Sequence, residues 1–222
     1  ASARWAVSDA FAALHREAGV VDVTVMENRW QPMAQHNFRS PRPANQPLRC
    51  CFIGGMALHK GFAVLQAAFL QVQPVEPGLK LTIVDSLLKP GEVSEVEWGT
   101  TLVRFVPPVA MDEMEAFYAE QDVLLAPSTW PESYGLVTRE ALSSGLWVVA
   151  SAVGALADSI RDGDNGHRVP AGDSVALVQI LEKLSAEHPN PQPLLSFKSN
   201  LTALHRELDK KYQAIVCGRA DI

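Results

Sequence analysis

Little in this chain would staple, anchor or charge it strongly. Its three cysteines, Cys50, Cys51 and Cys217, make an odd count with no Cys-x-x-Cys and no Cys/His ligand spacing, which excludes a disulfide framework and a zinc site. No apolar run approaches the roughly 20 residues that span a bilayer, and no charged, apolar and small-residue leader opens the sequence, so a soluble chain is expected. Lys and Arg number 19 against 25 Asp and Glu and nowhere cluster; the net charge of -6 excludes a nucleic-acid groove or a strongly basic membrane face. Any anionic ligand must therefore be held by a few local groups. Repeats, low-complexity tracts, the Gly-x4-Gly-Lys-Ser/Thr phosphate loop and the Gly-x-Gly-x-x-Gly fingerprint are missing as well.

What the chain does have is apolar material, 47% of 222 residues, enough for one substantial domain with additional elements. Strand signals at 49–53, 80–84, 102–106, 122–126, 147–151 and 167–169 alternate with helix signals at 62–72, 111–120, 136–144, 156–161 and 174–184. Several strands are apolar throughout, as expected when helices cover both sheet faces. The fold class predicted is α/β, a Rossmann-like, doubly wound parallel sheet. Asp112-x-x-Glu115 reads as a capping box, Gly145 as a helix stop, and Asp162-Gly-Asp-Asn-Gly166 as a turn; Pro41 to Pro47 and Pro189 to Pro193 read as linkers. Cys50 and Cys51, adjacent on a strand, must point to opposite faces and are read as core.

Two loops carry the chemistry. In the first, the strand ending at Ile53 runs into Gly54 and Gly55, and Lys60 stands at the mouth of the next helix. Glycines admit a ligand close to the backbone and a lysine offers a mobile cation, so the loop resembles a phosphate cradle; alone, a glycine pair and a lysine are ordinary turn and surface residues, and His59 reads as structural, with a second phosphate donor as the alternative. In the second loop, Glu132 and Glu140 lie eight positions apart around a helix start in Pro131-Glu-Ser-Tyr-Gly-Leu-Val-Thr-Arg-Glu140. The amides of Gly135, Leu136 and Val137 can meet an anion at the positive end of that helix, and Glu140, one turn in, can accept bonds from a hydroxyl pair such as a ribose. For two such glutamates in isolation, a helix cap or solvated side chain at Glu132 and an exposed face at Glu140 are the better account; the intervening Ser-Tyr-Gly-Leu-Val and the strand before it lift this pair.

Taken in order, Phe52-Ile-Gly-Gly with His-Lys-Gly61, then Ala126-Pro-Ser, Pro-Glu-Ser-Tyr-Gly-Leu-Val and Glu-Ala141, then Ser144-Gly-Leu-Trp-Val-Val-Ala-Ser151, Gly154-Ala-Leu-Ala-Asp158 and Asp162-Gly-Asp-Asn-Gly166 resemble the carboxyl-terminal half of a family 4 retaining glycosyltransferase over residues 48 to 185. The resemblance implies one half of a GT-B enzyme, with residues 1–47 the end of an amino-terminal domain and a linker, 48–188 the donor-binding domain, and 189–222 a linker and a helix returning to the other domain through Leu201, Leu204, Leu208, Tyr212 and Ile215. It implies transfer of a sugar from a nucleotide-sugar substrate to a glycan or lipid-linked acceptor, without a metal or other cofactor, in the cytoplasm at the inner face of the membrane. As a fragment, the chain would be inactive by itself. It assigns Lys60 to the donor phosphates, the Gly54–Gly55 turn and the Gly135 to Val137 amides to phosphate or sugar, Glu140 to the ribose and Glu132 to the catalytic or positioning carboxylate beside the donor sugar. Three positions depart from the family pattern: Gly55 where an arginine is usual, Asp85-Ser86-Leu87 in place of a glycine turn, and Pro107 in place of a glycine. A GT-B sugar-nucleotide epimerase and a non-catalytic binding module on the same fold are the alternative readings.

Overall fold

The computed structural model describes residues 4–28 and 45–187, with residues 43, 189 and 210. The amphipathic stripe from Leu201 to Ile215, Cys217, residues 41, 42 and 44 of the first proline-rich stretch and 190–193 of the second lie outside the described residues. A small amino-terminal unit pairs β1 (Arg4–Ala6) with the parallel β2 (Val23–Val25) under α1 (Asp9–Glu17), closed by Ala6, Ala12 and Val23. The Ser8 hydroxyl caps α1 by accepting from the Phe11 amide at 3.1 Å.

From β3 (Leu48–Ile53) onward the chain builds one seven-stranded sheet: α2 (Phe62–Phe69), β4 (Leu79–Val84), β5 (Ser94–Trp98), β6 (Thr101–Val106), α3 (Met114–Ala119), β7 (Val123–Ala126), α4 (Leu136–Ser143), β8 (Trp147–Ser151), β9 (Gly166–Val169) and α5 (Ser174–Glu187). The strand order is β5-β6-β4-β3-β7-β8-β9, parallel except for β5. Helices α2 and α5 bury Leu65, Phe69, Leu177 and Leu181 on one face, together with Cys50; α3 and α4 bury Tyr118 and Leu142 on the other, together with Cys51. The two adjacent cysteines thus divide between the faces as strand geometry requires. The doubly wound α/β class holds.

Local signals held where the backbone could satisfy them. After α4, Gly145 turns with φ 76°, its amide bonding the Leu142 carbonyl while the Leu146 amide bonds that of Ala141, which closes the last turn. Two expectations fail. Helix α3 starts at Met114 with Glu113 as its cap residue and without a side-chain cap, so Asp112 sits one position too early for the predicted capping box. The helix expected over 156–161 is a series of turns, because the Asn165 side chain accepts from the Arg161 amide at 2.7 Å and donates to the Ser159 carbonyl at 3.1 Å, curling the chain before a second helical turn forms. Strand β5 was not foreseen: Ser-Glu-Val-Glu-Trp pairs antiparallel with β6 around Gly99, at the edge of the sheet.

Candidate functional site

The strand order decides where a ligand can sit. From β3 the chain moves outward to β4 and then returns to the other side of β3 as β7, so the switch point lies between β3 and β7, and the loops leaving their carboxyl ends flank a crevice. Those are the two loops singled out in the sequence. They are clasped: the Ser128 hydroxyl donates to the His59 carbonyl at 2.8 Å and the Thr129 amide to the same carbonyl at 3.0 Å. A Cβ on Gly61, which has φ 85°, would overlap the Pro127 carbonyl oxygen, so the clasp needs glycine there.

The clasp brings Lys60 Nζ to 2.8 Å from Glu132 Oε1, with the side chains 33% and 18% exposed. This ion pair joins the two sequence-predicted groups 72 positions apart. At that depth it is screened less than a surface pair, and the ammonium retains donors for a second partner. Glu132 is held from behind as well, because the Ala155 amide donates to its carbonyl at 2.9 Å and its backbone bridges Gly154. The loop after β8 therefore fixes the loop after β7.

Helix α4 begins at Gly135, in the left-handed region with φ 69° and with no side chain to cap the first amides, so Leu136 and Val137 open the helix at the crevice. Glu140 lies farther along, half-buried, where it accepts from the Tyr118 hydroxyl at 3.2 Å. Burial holds the Glu140 carboxyl above the usual range against the opposing pull of that hydrogen bond. Burial, with the Glu140 charge behind it, holds the Tyr118 phenol well above its ordinary value. A carboxylate here retains acceptor capacity for hydroxyls. The two glutamates face different partners: Glu132 faces Lys60 and Glu140 faces Tyr118 of α3.

The structure also joins two of the departures noted in the sequence. Gly55, with φ 56°, packs so closely on the loop after β4 that a Cβ would lie 2.8 Å from Asp85 Oδ1, and Asp85 is itself buried, accepting from the Leu87 amide at 3.0 Å. The glycine after β3 and the buried aspartate after β4 are thus packed against each other. The His59 side chain is exposed, and it is the His59 carbonyl that builds the site. Sequence reasoning assigned no role to Tyr118, Ser8 or Arg139, although Arg139 left a signal, a charge three positions before Leu142 on the stripe of α4 that faces inward; Asp158 stood only as the end of a motif. Among the described residues no group of His, Cys, Asp and Glu could hold a metal ion, and no helix is long and apolar enough to cross a membrane.

Residues 47–187, the whole seven-stranded unit, match the family model described as Glycosyl transferases group 1. The chain belongs to that family. Over 152 residues it is 31% identical to a D-inositol 3-phosphate glycosyltransferase of Corynebacterium diphtheriae, covering 64% of this chain and 35% of the relative. It is 36% identical over 125 residues to a phosphatidyl-myo-inositol mannosyltransferase of Mycobacterium leprae, 56% of this chain and 33% of the relative. The chain thus spans about a third of the length of these curated relatives. Among solved structures, a sucrose-phosphate synthase from Thermosynechococcus elongatus superposes with TM-score 0.72 at 22% identity, over 96% of this chain and 58% of that one. Anabaena HepE in complex with UDP and glucose superposes with TM-score 0.71 at 19% identity, over 96% and 64%. The fold of this group 1 chain is that of its GT-B neighbours.

Proposed function

We propose that this chain is the donor-binding half of a retaining glycosyltransferase that moves a sugar from a nucleotide-sugar donor to a glycan or lipid-linked acceptor. The observation that carries the reading is the Lys60–Glu132 pair at 2.8 Å, set at the switch point beside the open end of α4. A diphosphate entering the crevice takes the Lys60 ammonium away from Glu132 and meets the Gly135, Leu136 and Val137 amides, with the Gly54–Gly55 turn allowing close approach. Glu140 accepts bonds from the ribose hydroxyls. Charge develops on the leaving diphosphate as the bond to the anomeric carbon breaks, so a fixed cation and amides stabilise the transition state more than the ground state. Glu132, released from Lys60, lies against the sugar, where its carboxylate favours oxocarbenium character or fixes the ring for attack. The relatives named for transfer to inositol phosphate, and HepE crystallised with UDP-glucose, support a nucleotide-sugar donor and a hydroxyl acceptor.

The acceptor wall belongs to a second Rossmann-like domain in this reading, so the chain by itself binds donor and transfers nothing. Calorimetric titration of the chain with uridine-, guanosine- and adenosine-diphosphate sugars tests it. Binding of one member, weakened tenfold or more (about 1.4 kcal/mol) by Lys60→Ala and by Glu140→Ala, is expected. No binding across the panel, or binding that ignores both substitutions, overturns it. Retention of transfer by a full-length Glu132→Gln protein would remove the catalytic assignment of Glu132 alone.

A further inference from the structure

The segment that carries Glu132 is gripped by the amino-terminal unit as well as by the sheet. The Ser8 hydroxyl, at the start of α1, donates to the Ser133 carbonyl at 2.6 Å across 125 positions of sequence. The Tyr134 hydroxyl donates to the Asn28 carbonyl at 3.4 Å. From the other side, the Arg139 guanidinium donates to the Tyr134 carbonyl and lies over the Tyr134 ring, 4.1 Å from its centroid. Both residues are buried, Tyr134 at 6% and Arg139 at 7% exposure. Three consecutive residues thus have three anchors: Glu132 on Lys60, Ser133 on α1, and Tyr134 between the amino-terminal unit and α4.

A buried guanidinium is an expensive way to fill this position on α4. Its desolvation must be repaid by its contacts, a cost that an apolar side chain would not carry. What a leucine lacks is a fork that bonds a carbonyl while its flat face covers an aromatic ring. The charge has acidic company at the same seam. Burial raises the Asp158 carboxyl, Arg139 pulls it down and Asp9 of α1 pushes it up; burial likewise raises the Tyr134 phenol, against the pull of Arg139 and with a push from Glu27. Groups from both units therefore converge on Arg139 and Tyr134.

We propose that Arg139 and Tyr134 are a positioning pair, which transmits the placement of the 4–28 unit to Glu132. Neither side chain is among the groups proposed to hold the donor. The pair fixes the backbone between the seam and the carboxylate, so that a tilt of the amino-terminal unit, acting through Ser8 and Asn28, reaches Glu132 two residues away. The inference rests on the proposed role of Glu132, although the mechanical link itself does not.

Hydrogen exchange of the intact chain, read by mass spectrometry over 131–138, tests the link without any ligand. Arg139→Gln is expected to raise exchange there about tenfold while 79–84 and 147–151 keep their protection, and Arg139→Lys, which retains a donor but not the flat face, should fall between. Tyr134→Phe, which cuts only the tie to Asn28, and Ser8→Ala, which cuts the tie to Ser133 and also uncaps α1, are expected to raise exchange over the same segment about threefold. They also decide the matter if Arg139→Gln does not fold. Unchanged exchange over 131–138 in both of these variants, or a uniform rise across the chain in every variant, overturns the proposal. Titration of the same variants with uridine- and guanosine-diphosphate sugars separates the two readings. Binding absent from the wild-type chain removes the donor site and leaves the exchange result standing; binding in the wild type weakened by Ser8→Ala joins them.

Discussion

The two sides of the sheet are built on different terms. Strands β3, β7 and β8 have helices against both faces, and every residue of β7 and β8 is buried. Strands β4 and β6 alternate instead: Lys80, Leu102 and Arg104 are exposed while Leu81, Val103 and Ile83 are buried. Between β4 and β6 the chain makes the hairpin strand β5 and no helix, so among the described residues nothing helical covers that outer face. A shallow pocket of about 410 Å³ opens there, lined by charged residues including Arg49, Lys80, Glu95 and Arg104. The crevice with Lys60 and Glu132 lies in the fully covered half. A loop can hold a precise ion pair where the strand beneath it is fixed on both faces; an edge with one wet face has no such support.

Paired substitutions break or sharpen this contrast. Leu125→Ala in β7 is expected to cost about 2–5 kcal/mol in urea unfolding and Leu102→Ala in β6 less than about 1 kcal/mol, since only the first leaves a cavity in a covered layer. Equal costs would mean that the outer face is covered after all. Next in size is Asp122→Ala. This buried carboxylate accepts from the Arg49 amide at 2.8 Å and from its guanidinium at 3.0 Å, so its loss strands donors at the base of β3, for about 2–3 kcal/mol.

Two titrating groups in the covered half give smaller effects of opposite sign. Burial, helped by the Lys183 ammonium, lowers His167 in β9, which lies 5.4 Å from the Trp147 ring. The unfolded chain therefore binds that proton more tightly. Stability from neutral His167 is complete above about pH 6.5 and is lost as pH falls through the lower folded value, and thermal unfolding of His167→Gln should show a flatter acid slope. Glu140 runs the other way: its raised carboxyl makes the ionised form a cost above the folded value, relieved by protonation on acidification. Glu140→Gln is expected to unfold at a higher temperature than the wild type near pH 7, with the difference closing toward pH 4. Arg104→Ala, which removes an exposed 3.8 Å pair with Glu95 on the open face, should change stability by no more than about 0.5 kcal/mol.

The apolar runs at Val123–Ala126 and Trp147–Ser151 announced covered strands, and the glycines and charges after β3 and β7 announced the site, because strand period and helix-start chemistry are local properties. Glu140 was legible as a carboxylate one turn into a helix; its partner Tyr118 was not, since that contact depends on how α3 lies against α4. Asp85 read as the loss of a glycine turn, and its packing against Gly55 comes from two strands that are neighbours only in the sheet. Ser-Glu-Val-Glu-Trp, with two glutamates in five residues, gave no strand signal because edge strands take charges that central strands reject.

By itself, then, the sequence determined the class of the fold, the two loops and the groups they carry, for these depend on periodicity and on residue chemistry at fixed spacing. The tertiary structure decided that Lys60 and Glu132 meet, that Tyr118 bonds Glu140, and that Arg139 grips Tyr134 at the seam with residues 4–28. Those pairings follow from strand order, which returns the chain to the other side of β3 and joins positions that no local pattern connects.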